Sequence, residues 1–192
     1  MINIKTLTLS APQVDKREIL RYAGVRGEGE SIMPLLDECL AEADKILVYK
    51  VCYAEIERES EYGKKLFAQD GLKDYLSECF TAVILGATVG IELDRLISKY
   101  GRLSPTKALL FQAIGAERIE ALCDRFWCDF QKTVMSKGAK ALPRISPGYG
   151  NFPLESQREL FAVLDLNRKI GLSLNDSLLM SPSKSVTAVF GI

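Results

Sequence analysis

The stretch RISPGYGNFPLESQRELFAVLDLNRKIGLSLNDSLLMSPSKSVTAVFGI, residues 144–192, reads as a loop, a helix and a strand in succession. Its opening RISPGYGNFP cannot be a helix interior, and Pro147, Gly148 and Gly150 would spoil a central strand. An ordered loop is predicted there. From about Leu154 the pattern becomes helical, with Leu160, Phe161 and Leu164 on the buried side. Arg168 and Lys169 occupy its last turn, and Gly171 just beyond closes it. The closing SVTAVFGI is read as a strand.

Working outward, residues 2–9, INIKTLTL, alternate apolar and polar and predict a strand. Asp15 then starts a helix, with Glu18 placed for a capping box, Val14 and Ile19 for a hydrophobic staple, and Gly24 as the stop. Ile32, Leu35, Leu36, Cys39, Leu40 and Ala43 repeat at helical spacing. ILVYKVCYAEI at 46–56 is rich in β-branched and aromatic residues and predicts a strand, with Tyr49 and Tyr53 as core or interface side chains. A turn around Gly63 precedes a short helix marked by Leu72, Tyr75, Leu76 and Cys79. FTAVILGATVG reads as a buried strand. Two helices follow, split at Ser104 and Pro105, the second with an apolar stripe through Ala116, Ile119, Leu122, Cys123, Phe126 and Phe130. Helices and strands mix without regular βαβ alternation, no repeat appears, and no linker divides the chain. The prediction is one α+β domain over residues 1–192, with an antiparallel or mixed sheet and packed helices.

Composition narrows the function. The 192 residues carry 25 basic and 25 acidic side chains, so the chain lacks the electrostatic footprint of a nucleic-acid or acidic-membrane binder. The five cysteines form no C-x-x-C pair and read as buried, reduced thiols of a cytoplasmic protein. The first residues have no signal-peptide layout, and the longest nearly apolar run, residues 80–91, is too short to span a bilayer. There is no histidine. That removes Ser-His-Asp and Cys-His catalysis, the usual zinc sites, and an imidazole ligand for iron or cobalt.

Within the loop, Arg144 offers a permanently charged planar fork suited to a carboxylate or phosphate. Gly148 and Gly150 permit positive φ and close approach to bare backbone. Tyr149 adds a ring and a hydroxyl. A flat anionic ligand would suit all three, while a structural turn whose arginine pairs with a carboxylate would explain the same residues. Lys184 in SPSKS reads as an exposed turn lysine.

The order of motifs closely resembles the carboxy-terminal activation domain of cobalamin-dependent methionine synthase. That family has an R-x-x-x-G-Y loop with proline before the glycine, then a helix, a G-[small apolar]-x-L-[Thr/Asn]-x-S segment and a P-x-x-S-V strand. Here they stand as Arg144/Gly148/Tyr149, Gly171–Ser177 and Pro182–Val186. AIGAERIEALCD is similar to the family's helix with a glutamate-alanine pair, at Glu120 and Ala121. The family's D-W-x-P-F-F segment has no counterpart. The resemblance is clearest over residues 80–192.

The resemblance implies a domain that binds S-adenosylmethionine and closes over a cobalamin held by another domain. There, a methyl group from S-adenosylmethionine and one electron from a flavodoxin-type donor return cob(II)alamin to methylcobalamin. It implies that Arg144 holds the ligand's carboxylate, and that backbone around Ser146 and Gly148 meets its adenosyl or amino-acid part. Glu120 would face its cationic end, and Tyr149 would lie towards the cobalt. No D-x-H-x-x-G cobalamin-binding pattern is present, so the corrinoid would be contacted in trans, on a methionine synthase core or related corrinoid protein. No metal ligand is expected from this chain. The competing readings are a docking module that recognises such a partner without S-adenosylmethionine, and an unrelated α+β scaffold whose loop is structural.

Overall fold

The computed structural model describes residues 2–27 and 29–192. Strands β1 (Ile4–Leu9), β2 (Tyr49–Glu57), β3 (Thr81–Thr88) and β6 (Ser185–Gly191) form one antiparallel sheet in the order β1-β2-β3-β6. Register is set by pairs such as Ile4 with Ala54, Lys50 with Thr88 and Ala82 with Gly191. Two-residue strands β4 (Ser173–Leu174) and β5 (Met180–Ser181) make a separate ribbon. The predicted α+β class and antiparallel sheet are observed.

Both faces of the central strands are covered, which is why β3 reads as a continuous apolar run. Val83, Leu85 and Ala87 point into one core with Ala188 and Phe190 of β6. That core is completed by α1 (Lys16–Tyr22), α2 (Met33–Ala43), α4 (Glu92–Leu103) and α5 (Pro105–Met135). Ala82, Ile84 and Val189 point the other way, against α3 (Glu61–Phe67), α6 (Ser156–Leu164) and α7 (Leu166–Ile170). Gly86 is the contact point on that side. A Cβ there would come within 2.6 Å of the Leu166 side chain, which would have to shift to make room.

Helix α5 is the long support of the site. Ser104 caps it by accepting from the Lys107 amide at 3.5 Å, and Pro105 occupies its first turn. Its 31 residues span about 46 Å at the standard rise. Its apolar stripe, including Phe111, Ile114, Leu122 and Phe126, is buried.

Several local readings are corrected. Gly63 lies inside α3, whose N-cap is Ser60, not in a turn. Leu72 and Leu76 are buried, but residues 70–78 wind as successive turns with mixed three- and four-residue hydrogen bonds. The Arg58 side chain donates to the carbonyls of Leu76, Ser77 and Cys79, satisfying groups that a continuing helix would have bonded. The helix predicted from Leu154 to Gly171 is two helices, broken at Asp165 with φ 50°. Asp15 does cap α1, but Glu18 binds Arg21 rather than closing a capping box. The Asp15 amide donates instead to Glu117 Oε1 of α5 at 3.0 Å.

Candidate functional site

The predicted loop lies along the outer edge of β6. Leu142 donates to the Gly191 carbonyl at 2.9 Å, and Ile145 exchanges both backbone hydrogen bonds with Val189, at 2.9 and 2.8 Å. Trp127 of α5 holds the approach, its indole N–H donating to the Leu142 carbonyl. Past this strap the chain folds back on itself. The Gly148 amide donates to the Phe152 carbonyl at 2.8 Å, and the Phe152 amide to the Tyr149 carbonyl at 3.1 Å. Phe152 is sunk in the second core and pins the loop. Gly148 has φ 91°, a conformation that disfavours any residue with a Cβ.

Arg144 leaves this strap pointing at α5. Its Nη2 donates to Glu120 Oε2 at 2.6 Å and to Asp124 Oδ1 at 2.9 Å. These two carboxylates are one helical turn apart and so share a face. Burial opposes the guanidinium charge, while the hydrogen bonds to Glu120 and Asp124 act the other way, and its pKa lies above the ordinary arginine value. Burial pushes the Cys123 thiol up to about 12, so at neutral pH it is an uncharged neighbour. Nε and Nη1 of Arg144 donate to no group among the described residues. The arginine is therefore held by one nitrogen, and the other two remain uncommitted.

Arg144 lines a cavity of about 520 Å³ between the loop, α5, the start of α6, Met180 of β5 and the first residues of β6. Its size is in the range of small-ligand sites. Glu120, Arg144, Ser146 and Tyr149, four of the five residues predicted for binding, line it together. Tyr149 is 75% exposed. Gly148 is not among the lining residues, and its amide is already used within the loop. Its part is to let the chain turn. Gln157, Ser185 and Thr187 were not picked out from the sequence. The sequence offered only a threonine interrupting the apolar strand VTAVF; that Ser156 and Gln157 are buried at the start of α6 is visible only in the fold.

A second arginine site lies earlier on α5. Arg118 is fully buried, with Nε donating to Glu117 Oε2 and Nη2 to Glu117 Oε1, each at 2.5 Å. Nη1 and Nη2 also donate to the carbonyls of Pro12 and Gln13, at 2.8 and 2.7 Å. The cluster ties the entry to α1 onto α5. Lys184 is corrected too: its aliphatic stem packs over Gly115, and burial lowers its pKa. Four cysteines are buried, Cys128 is exposed, and none is disulfide-bonded. Among the described residues, no helix is long and apolar enough to cross a membrane, and no cluster of three or more acidic or cysteine side chains is placed to hold a metal ion.

The architecture is an α+β domain with an antiparallel sheet covered on both faces and a small cavity at its β6 edge. The fold matches the MetH reactivation domain. The crystal structure of that domain bound to AdoHcy has a TM-score of 0.73 to this chain, covering 99% of it and 78% of the other, with 13% sequence identity. The likeness thus runs through the first 80 residues, where sequence motifs were weak. No protein-family model matches the sequence, and no curated protein shows significant similarity to it.

Proposed function

We propose that the Arg144 cavity binds S-adenosylmethionine and that the chain offers it to a cobalamin-bearing partner, supporting reductive remethylation of cob(II)alamin. The observation that carries this reading is an arginine held by one nitrogen, with two uncommitted, on the wall of a ligand-sized cavity, in a fold whose solved neighbour was crystallised bound to AdoHcy. The partner's corrinoid would supply the nucleophilic cobalt once a flavodoxin-type donor had given it one electron, and S-adenosylmethionine would supply the methyl group, leaving S-adenosylhomocysteine.

The work of this chain is to bind and orient. Arg144 offers the uncommitted N–H groups of Nη1 to the ligand's carboxylate, while Glu120 and Asp124 hold Nη2 and fix the side chain. Glu120 has a second use, as the acceptor for the ligand's cationic end. Ser146 contributes at the loop wall, and exposed Tyr149 meets the approaching corrinoid. No acid-base residue is required of the chain, which agrees with its lack of histidine. The partner is a methionine synthase core or a related corrinoid protein.

The visible spectrum of cobalamin tests the whole reading. Cob(II)alamin on a cognate methionine synthase core, with an electron donor and S-adenosylmethionine, should return to methylcobalamin faster when this chain is added. An unchanged rate would rule out reactivation. Calorimetry showing no S-adenosylmethionine binding by either the free chain or its complex with the core would favour the docking module.

A further inference from the structure

Among the described residues, four buried side-chain polar atoms have no hydrogen-bond partner. Two of them, Gln157 Oε1 and Thr187 Oγ1, belong to residues that line the Arg144 cavity. The residues are 6% and 1% exposed, so solvent at large does not satisfy them. A buried polar atom without a partner carries a free-energy cost, and native folds rarely leave one without a reason. Two beside one cavity call for a common reason.

The main chain adds to the same wall. The even-numbered residues flanking β6 bond to the β3 side: the Val89 amide donates to the Lys184 carbonyl, and Thr81 exchanges bonds with Ile192. Ladder alternation therefore turns the odd-numbered residues to the outer edge. Val189 and Gly191 bond there to Ile145 and Leu142. Thr187 is next along that edge, and its N–H and C=O meet no partner among the described residues. Both supports are rigid: Thr187 sits mid-strand opposite Gly86, and Gln157 is in the first turn of α6.

We infer that Gln157, Thr187 and the free edge of β6 form a neutral polar floor that reads the flat donor–acceptor edge of an adenine base. This deepens the proposed function and rests on it. A charged ligand end would leave its counter-charge unmet on a floor of amide, hydroxyl and peptide groups. The amidine edge of adenine, an exocyclic amine beside a ring nitrogen acceptor, matches a strand's C=O beside its N–H. The strand cannot reverse that order. Charge recognition then falls to Arg144 and Glu120, and base recognition to the floor.

Calorimetric titration of the parent chain with S-adenosylhomocysteine and with S-inosylhomocysteine tests this, since the inosyl base presents acceptor and donor in the opposite order. The parent should bind the adenosyl compound at least about tenfold more tightly. Thr187→Val and Gln157→Leu should each lose about fivefold or more in adenosyl affinity and show a reduced preference over inosyl. Their melting temperatures should not fall, because each removes an unsatisfied atom. Equal binding of the two compounds by the parent, or parental affinity and preference in both variants, overturns the floor and leaves the proposed function standing. Binding of neither compound by the parent defeats the proposed function and the floor with it.

Discussion

Arg118 and Arg144 set the same guanidinium against carboxylates within two turns of α5, yet their surroundings differ. Around Arg118 every nitrogen donates, to Glu117 or to the carbonyls of Pro12 and Gln13, and the side chain is sealed from solvent. Around Arg144 one nitrogen takes both carboxylates while the other two donate to no group among the described residues, the residue lines a cavity, and the side chain keeps 19% of its exposure. The first arrangement closes a structure. The second holds a charge in place and leaves capacity for something else. What separates an anchor from a binding group is thus not the residue type but whether its donors are used up.

The comparison breaks first at the anchor. Arg118→Met should leave Glu117 buried without its charge partner and loosen the turn into α1, at a cost of about 3–5 kcal/mol. Urea unfolding would show it as a lower midpoint. A loss under about 1 kcal/mol would mean that the cluster is not the structural element described, since that is the ordinary value of a surface pair.

Gly148→Ala tests the loop that aims Arg144. Its φ of 91° and a Leu154 contact at 3.3 Å from an added Cβ should make the variant less stable by about 1–2 kcal/mol. Ligand affinity should fall as well, through a displaced loop. Unaltered unfolding together with unaltered affinity would show that the turn does not position the site.

The smallest effect on folding is expected at Arg144 itself. Its partners Glu120 and Asp124 are 42% and 70% exposed at the side chain, so Arg144→Met should cost no more than about 1 kcal/mol of stability. A loss as large as that of Arg118→Met would erase the distinction between the two regions.

Much of this arrangement was legible in the sequence, and the misses have physical causes. The strands and α5 announced themselves through β-branched runs and a long apolar stripe, because burial selects for both. The loop was legible because proline and glycine restrict backbone in known ways. Residues 70–78 and the break at Asp165 were not: periodicity registers buried Leu72 and Leu76, but not that Arg58 takes the carbonyls or that Asp165 turns left-handed. Glu120 was legible as a charged residue by the stripe. Glu117 and Arg118, adjacent in the chain, gave no hint that one would saturate the other, since residues at i and i+1 do not ordinarily face each other on a helix. Gln157 and Thr187 stayed hidden because each becomes part of the site only when the fold brings the start of α6 and the edge strand β6 to the same cavity.

Isothermal titration of S-adenosylmethionine into the parent chain and into Arg144→Met, each first shown to be folded by its melting curve, bears most directly on the open arginine. The account predicts binding by the parent and a loss of about 1.5–3 kcal/mol in the variant, the worth of a charge-assisted hydrogen bond. Equal affinity in the two proteins would contradict it.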